Sequence, residues 1–265
     1  MYCEQVCRAG RTEDHNLYYS IRYNNGEKRE RKSKPTSKAQ QAINRKRALV
    51  TLTRLMNANF SGKDLYVTWT YEKRKRPGSA EKFRENVQVL LRKLRKYFKK
   101  QRQTLKYIWV GERGSRGAEH VHMVMTGCDP RVLSDLWEHG YVYYTTMDAN
   151  GSYRKLAAYF MKYSDTTMKS EERLQGKRYN ASKNLIHPEP EKTRIRKRKR
   201  FDPNAIKVPD GWYLDQETVE FGVSEITGYE YLRYTLIMLP GRNIPEKRRS
   251  KRKCRSKRKY SAHTM

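Results

Sequence analysis

Alternation between apolar and polar positions is clearest in the middle of the chain. Tyr107-Ile108-Trp109-Val110-Gly111-Glu112 and Glu119-His120-Val121-His122-Met123-Val124-Met125 are apolar runs separated by Arg113-Gly114-Ser115-Arg116-Gly117. The glycine-punctuated spacer has hairpin length, so the pair predicts two antiparallel strands. Segments 65–71 and 141–147 read as further strands. Between them, Phe83, Val87, Leu90, Leu91, Leu94 and Phe98 recur at helical spacing across 80–100, opposite a face rich in Arg and Lys. Asp129-Pro130 supplies an N-cap and a first-turn proline for a helix that Gly140 would close. A last central helix follows Ser152 as N-cap, with Leu156, Phe160 and Tyr163 at i, i+4 and i+7 defining its buried stripe.

The flanks are more polar. Segment 17–23 alternates as a strand, 27–38 is too polar to bury and reads as loop, and a basic helix runs to about Asn59. After the central stretch, 193–200 is a basic loop and 228–238 a strand with Tyr229, Tyr231 and Arg233 on one face. Interleaved aromatic and cationic groups of that kind can stack single-strand bases; an edge strand packing its tyrosines would show the same pattern. Mixed strands and helices predict an α+β fold with a central antiparallel sheet and flanking helices. The chain divides into a basic N-terminal extension (1–60), a core domain (61–240) and a basic, disordered tail (241–265).

Side chains alternate faces along a strand, so His120 and His122 share one side of theirs. Pairing Glu112 opposite His120 places Val110 opposite His122 and Ile108 opposite Val124, a register in which all six lie on one face. It sets one carboxylate beside two imidazoles, an oxygen and nitrogen donor set suited to Mg²⁺ or Mn²⁺ acting on phosphate. Half-buried histidines with hydrogen-bonded rings would give the same local pattern. On the 152–163 helix, Lys155, Tyr159 and Lys162 run along one flank of the stripe, which puts Tyr159 at its edge and Tyr163 nearer its centre. A tyrosine phenol, with a pKa near 10, needs a nearby cation to act as a nucleophile. Lys162 is one turn away, and a histidine-bound metal could polarise a phosphate.

Charge narrows the partner. Against 28 acidic residues stand 59 Lys and Arg, a formal net charge of +31 over 265 residues. Such a field attracts polyanions and makes affinity fall steeply with salt. Arg113 and Arg116 on the hairpin turn, with Arg194, Arg196, Lys197 and Arg198 in the basic loop, are candidate DNA contacts. No apolar run reaches the roughly 18 residues of a spanning helix, so no membrane is expected. The first residues lack the pattern of an export signal, and Cys3, Cys7, Cys128 and Cys254 are too scattered for a disulfide framework, which together point to a cytoplasm. Cys3, Cys7 and His15 could join a zinc site only at loose spacing.

In order and spacing, Leu65-Tyr66-Val67-Thr68-Trp69-Thr70-Tyr71, then Glu112 with His120-Val121-His122, then Ala158-Tyr159-Phe160-Met161-Lys162 resemble the three motifs of the His-hydrophobic-His endonucleases, rolling-circle replication initiators of small plasmids and single-stranded DNA phages. Leu133-Ser134-Asp135-Leu136-Trp137-Glu138-His139-Gly140 and Tyr179-Asn180-Ala181-Ser182-Lys183-Asn184-Leu185 with Pro188 resemble the branch related to filamentous-phage gene II proteins. The resemblance implies a metal-dependent nicking and joining enzyme in a bacterial host, acting on single-stranded or origin DNA alongside host replication proteins such as a helicase and a polymerase. By position it implies His120, His122 and Glu112 as ligands of Mg²⁺ or Mn²⁺, Tyr159 as nucleophile and Lys162 as its helper. Tyr163 stands where many relatives carry an acidic residue, so a second tyrosine can take part. A relaxase or single-strand transposase would use the same chemistry, although relaxases usually place the tyrosine before the histidines. A non-catalytic ribosomal or packaging protein would share the charge.

Overall fold

The computed structural model describes residues 1–20, 38–114, 117–148, 151–169, 172–195, 201–225 and 227–241. The segment 27–37 and the basic tail from 242 onward, expected as loop and disorder, lie outside the described residues. The elements are β1 (Tyr2–Ala9), β2 (Thr12–Tyr19), α1 (Lys38–Asn59), β3 (Leu65–Thr70), α2 (Ala80–Lys100), β4 (Tyr107–Arg113), β5 (Glu119–Met125), α3 (Pro130–Leu136), β6 (Val142–Thr146), α4 (Arg154–Lys169), β7 (Asn180–Ala181), β8 (Glu191–Arg194), β9 (Trp212–Val223) and β10 (Glu230–Met238). They form an α+β fold with two five-stranded sheets, ordered β6-β3-β5-β4-β7 and β8-β1-β2-β10-β9, in which every strand pair is antiparallel.

The first sheet is covered on both faces, and its strand alternation sorts the side chains between two cores. Val67, Trp69, Trp109, Val121, Met123 and Met125 meet the stripe of α2, with Leu133 and Trp137 closing the edge. On the other face Ile108, Val110 and Val124 meet Leu52, Leu55 and Met56 of α1 and Ala157, Phe160 and Met161 of α4. α2 forms where its stripe predicts, with Ser79 accepting from the Lys82 amide as N-cap, Glu81 in the first turn and Lys99 and Lys100 in the last, which suits the helix dipole at both ends.

Two helix ends differ from the expected ones. α3 stops at Leu136, before Gly140, because Trp137 turns to extended backbone and its indole N–H donates to the Thr70 carbonyl at 2.8 Å. Gly140 instead allows close approach: a Cβ there would lie 2.3 Å from the Thr70 oxygen. α4 begins at Arg154 rather than from a Ser152 cap, since the Tyr153 amide donates to Asn57 Oδ1 of α1 at 2.8 Å.

The second sheet departs most from expectation. β1 and β2 come from residues counted as an extension, and they pair with strands from beyond residue 190, so the sheets do not divide at residue 60. β2 starts at Thr12, earlier than expected, and ends at Tyr19, while residues 21–23 of the expected strand lie outside the described residues; β10 is a central strand between β2 and β9, not an edge. There Tyr229 stacks on Tyr19 with centroids 3.8 Å apart, and Arg233 covers the Tyr231 ring while its Nε donates to Asn16 Oδ1 at 3.1 Å. α1 ties the sheets together: Arg54 pairs with Asp14 at 2.7 Å and Asn57 donates to Thr12 Oγ1 at 3.0 Å. Gly10, at φ +57, closes the β1–β2 turn against α1, where a Cβ would lie 2.0 Å from the Asn57 oxygen.

On the far face of that sheet His15 lies between Glu4 (3.1 Å) and Glu13 (3.0 Å) and stacks on Tyr234. Val6 pairs opposite His15, so His15 faces away from Cys3 and Cys7, which are buried on the other side, and the loose zinc grouping does not assemble. Burial alone would lower the His15 pKa, but the two carboxylates outweigh it and push it up to about 9 from 6.5. A histidine bound more tightly to its proton in the fold than in the unfolded chain contributes stability that is complete below pH 6.5 and lost as pH rises through about 9. Glu13, held low by its bond to His15, contributes in the opposite sense, above its ordinary 4.5. Thermal melts are therefore expected to fall in temperature between pH 7 and pH 9.5, approximately the span of the raised titration, and to fall less in His15→Gln. Identical pH profiles for the two proteins would exclude the cluster as a source of stability.

Candidate active site

β4 and β5 pair with Glu112 opposite His120, Val110 opposite His122 and Ile108 opposite Val124, the register the hydrophobic pattern predicts. On the same face β3 sets Thr70 opposite His120, Thr68 opposite His122 and Tyr66 opposite Val124. The two imidazoles lie 6.2 Å apart, centroid to centroid. His122 is buried and fully bonded. Its Nε2 meets Glu112 Oε2 at 2.7 Å, and its Nδ1 lies 2.8 Å from the Tyr66 hydroxyl and 3.2 Å from Thr68 Oγ1. With Glu112 ionised, a neutral His122 carries its proton on Nε2, and Nδ1 accepts from Tyr66.

His120 differs from its neighbour. It is half-buried, and among the described residues its ring makes no hydrogen bond. Burial lowers its pKa; the Glu112 charge opposes that shift, and His122 and Arg76 add to it. The neutral ring is thus favoured, with the lone pair of one nitrogen free to bind.

α4 brings both tyrosines over this face. Tyr163 stacks on His122, centroids 4.5 Å apart and planes 3° from parallel, while Tyr159 stands edge-on to His122 at 5.9 Å and to Tyr163 at 4.3 Å. The expected stripe is rotated by about one position. Tyr153, Ala157, Phe160, Met161, Ser164 and Thr167 are the buried residues, and Tyr163 is half-buried at the flank, not central. Small side chains let the helix settle close to β4, where Thr167 Oγ1 donates to the Gly111 carbonyl at 2.9 Å. The tyrosines sit in unlike surroundings. Tyr159 is 41% exposed. Burial first, then the neighbouring Tyr159 hydroxyl and the Glu112 charge, raise the Tyr163 pKa well above the ordinary phenol range, and burial does the same for Tyr66.

Lys162 is exposed, and its ammonium has no partner among the described residues. Arg113 is engaged by Glu119 at 3.5 Å and Glu172 at 3.3 Å, which a phosphate would have to displace. Arg194 is exposed on the edge strand β8, away from the histidines. Arg116, Arg196, Lys197 and Arg198 lie outside the described residues. Tyr66 and Thr68, which hold His122, were not among the sequence candidates; their signal is the polar alternate face of Leu65-Tyr66-Val67-Thr68-Trp69-Thr70.

The donor chemistry fits a hard divalent ion, with two imidazoles and one carboxylate in a single patch. As they stand, no three His, Cys, Asp or Glu side chains among the described residues converge to hold one. His122 Nε2 and Glu112 Oε2 are bonded to each other at 2.7 Å, and with the proton on Nε2 that nitrogen has no lone pair for an ion. To hold an ion the pair would have to open and the His122 proton move to Nδ1, where the Tyr66 and Thr68 oxygens can accept it and fix the ring from behind.

Residues 64–168 match the family of replication-associated proteins of the ORF2 and phage gene II type. That span runs from the start of β3 into the last turn of α4, so it contains every residue of the His–Tyr face and excludes all strands of the second sheet. The match bears out the resemblance to rolling-circle replication initiators related to gene II proteins. No curated protein and no solved structure matches the chain.

Proposed function

Since residues 64–168 match the replication-associated ORF2 and gene II protein family, we propose that this replication-associated protein starts rolling-circle synthesis by nicking one strand of origin DNA and holding the new end as a tyrosyl ester. One observation carries the reading: Glu112, His120 and His122 share a sheet face with two tyrosines of α4 directly over it. Of the two tyrosines, Tyr159 is the more exposed, at 41% against a half-buried Tyr163, and so the nearer to an incoming substrate. The Tyr159 oxygen forms a bond to phosphorus as the bond to the 3′ oxygen breaks. The phenolic proton leaves to solvent, the 3′ oxygen takes one up as a hydroxyl able to prime synthesis, and the 5′ phosphate stays on Tyr159. Lys162, one turn on, adds positive charge beside the attacking oxygen.

His120, His122 and Glu112 would hold the Mg²⁺ or Mn²⁺, with His120 supplying the free lone pair. The bound ion would neutralise charge developing on the phosphate oxygens. Tyr163 lies against His122 with its phenolate disfavoured, which suits an orienting role or a second, later transfer. Origin DNA and host replication proteins in a bacterial cytoplasm are the partners this activity requires. No helix among the described residues is long and apolar enough to cross a membrane.

A supercoiled plasmid carrying the cognate origin is expected to be converted to open circles by the protein with Mn²⁺ and to stay supercoiled with a chelator. The full bonding of His122 favours a competing reading in which the histidines are structural and the protein only binds nucleic acid. Tight binding with no open circles at any Mn²⁺ concentration would establish that reading.

A further inference from the structure

The face that carries the histidines continues past β3 to the sheet's edge. On β6, Tyr143 pairs opposite Thr68, which itself stands opposite His122, so Tyr143 shares the histidine face. Tyr141, two residues earlier, keeps the same side by alternation, and its carbonyl accepts from the amide of Thr70, the residue opposite His120. Both rings are open to solvent, Tyr143 64% and Tyr141 62% exposed. Their backbone is pinned nonetheless. Gly140 sits against β3 with no space for a Cβ, and the Trp137 indole is bonded to Thr70.

Exposed tyrosines on one face of an edge strand are a liability unless something covers them, because edges invite pairing with other chains and are commonly protected by charge. The chain leaving β3 on this side is rich in cations. Lys73, Arg74 and Lys75 form an exposed 3-10 turn shortly after Thr70, Lys75 pairing with Glu72 at 3.3 Å and acting on His139 next to Gly140, and the Arg76 charge acts on His120. The patch thus presents flat aromatic rings, a positive rim and direct continuity with His122 and Tyr159. Such a combination fits single-stranded nucleic acid, whose unpaired bases offer their faces to aromatic rings while the backbone follows positive charge; duplex bases are already stacked on each other.

We propose that Tyr141 and Tyr143 form a base-stacking platform that lays single-stranded DNA along this face and delivers its phosphate to Tyr159. The proposal rests on the nicking reading for the identity of the strand but not for the measurement. The test titrates the full chain, in EDTA so that no cleavage occurs, into a fluorescein-labelled oligothymidine and into a duplex of equal length. Tyr141→Ala and Tyr143→Ala are each expected to weaken single-strand binding about tenfold, while the Phe replacements stay within about twofold. Duplex affinity and the salt slope should hold, since no phosphate contact is removed. Unchanged single-strand affinity in both Ala variants would overturn the proposal, as would an equal loss on duplex. A Tyr143→Ala change in sedimentation from dimer to monomer without loss of single-strand affinity would also overturn it, assigning the β6 edge to a second copy of the chain. Loss of stacking affinity in a chain that never nicks would support the platform and count only against the nicking reading.

Discussion

His120→Ala is expected to lower Mn²⁺-dependent strand cleavage by about a thousandfold, the effect of losing several kcal/mol of charge stabilisation at roughly 1.4 kcal/mol per factor of ten. The fold should hardly respond. His120 is half-buried, and its ring makes no hydrogen bond among the described residues, so truncation leaves no buried group without a partner. His122→Ala is the less clean variant. It removes a partner from both the Tyr66 hydroxyl and Glu112, each partly buried, at a cost of about 1 kcal/mol, and the melting temperature should fall with activity. Cleavage of a labelled origin oligonucleotide, calorimetry with Mn²⁺ and a gel shift without it would be read on the same preparations. Loss of metal binding and cleavage with retained DNA binding is the expected pattern. Undiminished cleavage by His120→Ala would refute the metal-binding role.

Tyr159→Phe is expected to reduce cleavage by about 10⁴-fold or more, to the uncatalysed background, because no other group supplies the attacking oxygen. Tyr163→Phe should retain activity within about tenfold. The comparison is clean in packing terms, since Phe preserves the edge-on contact between the rings and the stack of residue 163 on His122. The difference follows from surroundings: an exposed residue against one whose ionisation is opposed by burial, by the Tyr159 hydroxyl and by Glu112. Rates from single-turnover cleavage of the oligonucleotide would decide, and equal losses in both variants would establish a two-tyrosine exchange.

Much of the site was legible because a strand's period leaves little freedom. Once 107–112 and 119–125 form a hairpin, burying Ile108, Val110 and Val124 forces Glu112, His120 and His122 onto the same side, and the structure has that register. α2 was equally plain, its long apolar stripe matching what is buried. The stripe of α4 was harder. Counting Leu156, Phe160 and Tyr163 as core weighted large apolar residues, whereas the helix approaches β4 through Ala157, Ser164 and Thr167, which carry little hydrophobic signal. Tyr163 is thereby released from the core to stack on His122.

The second sheet was largely hidden for a related reason. β1 buries Cys3, Cys7 and Ala9 but interleaves them with Glu4 and Arg8, and in β9 Thr218 is the single buried residue. Its pairing also joins residues about two hundred positions apart, which local pattern does not record. Tyr66 and Thr68 belong to a strand that was recognised, but the hydroxyl face of β3 acquires meaning only when β5 sets His122 beside it.

The account stands most directly on where DNA becomes attached. Incubating the chain with Mn²⁺ and a single-stranded pool with a randomised core, then digesting with nuclease and trypsin, leaves a nucleotide remnant on whichever residue attacked. Cleavage after Lys155 and Lys162 places Tyr159 in Leu156-Ala157-Ala158-Tyr159-Phe160-Met161-Lys162 and Tyr163 in the next peptide, so mass spectrometry separates the two. The predicted result is the remnant on the peptide containing Tyr159, absent when the metal is chelated; a remnant on the Tyr163 peptide, or none on either while the DNA stays intact, would contradict it.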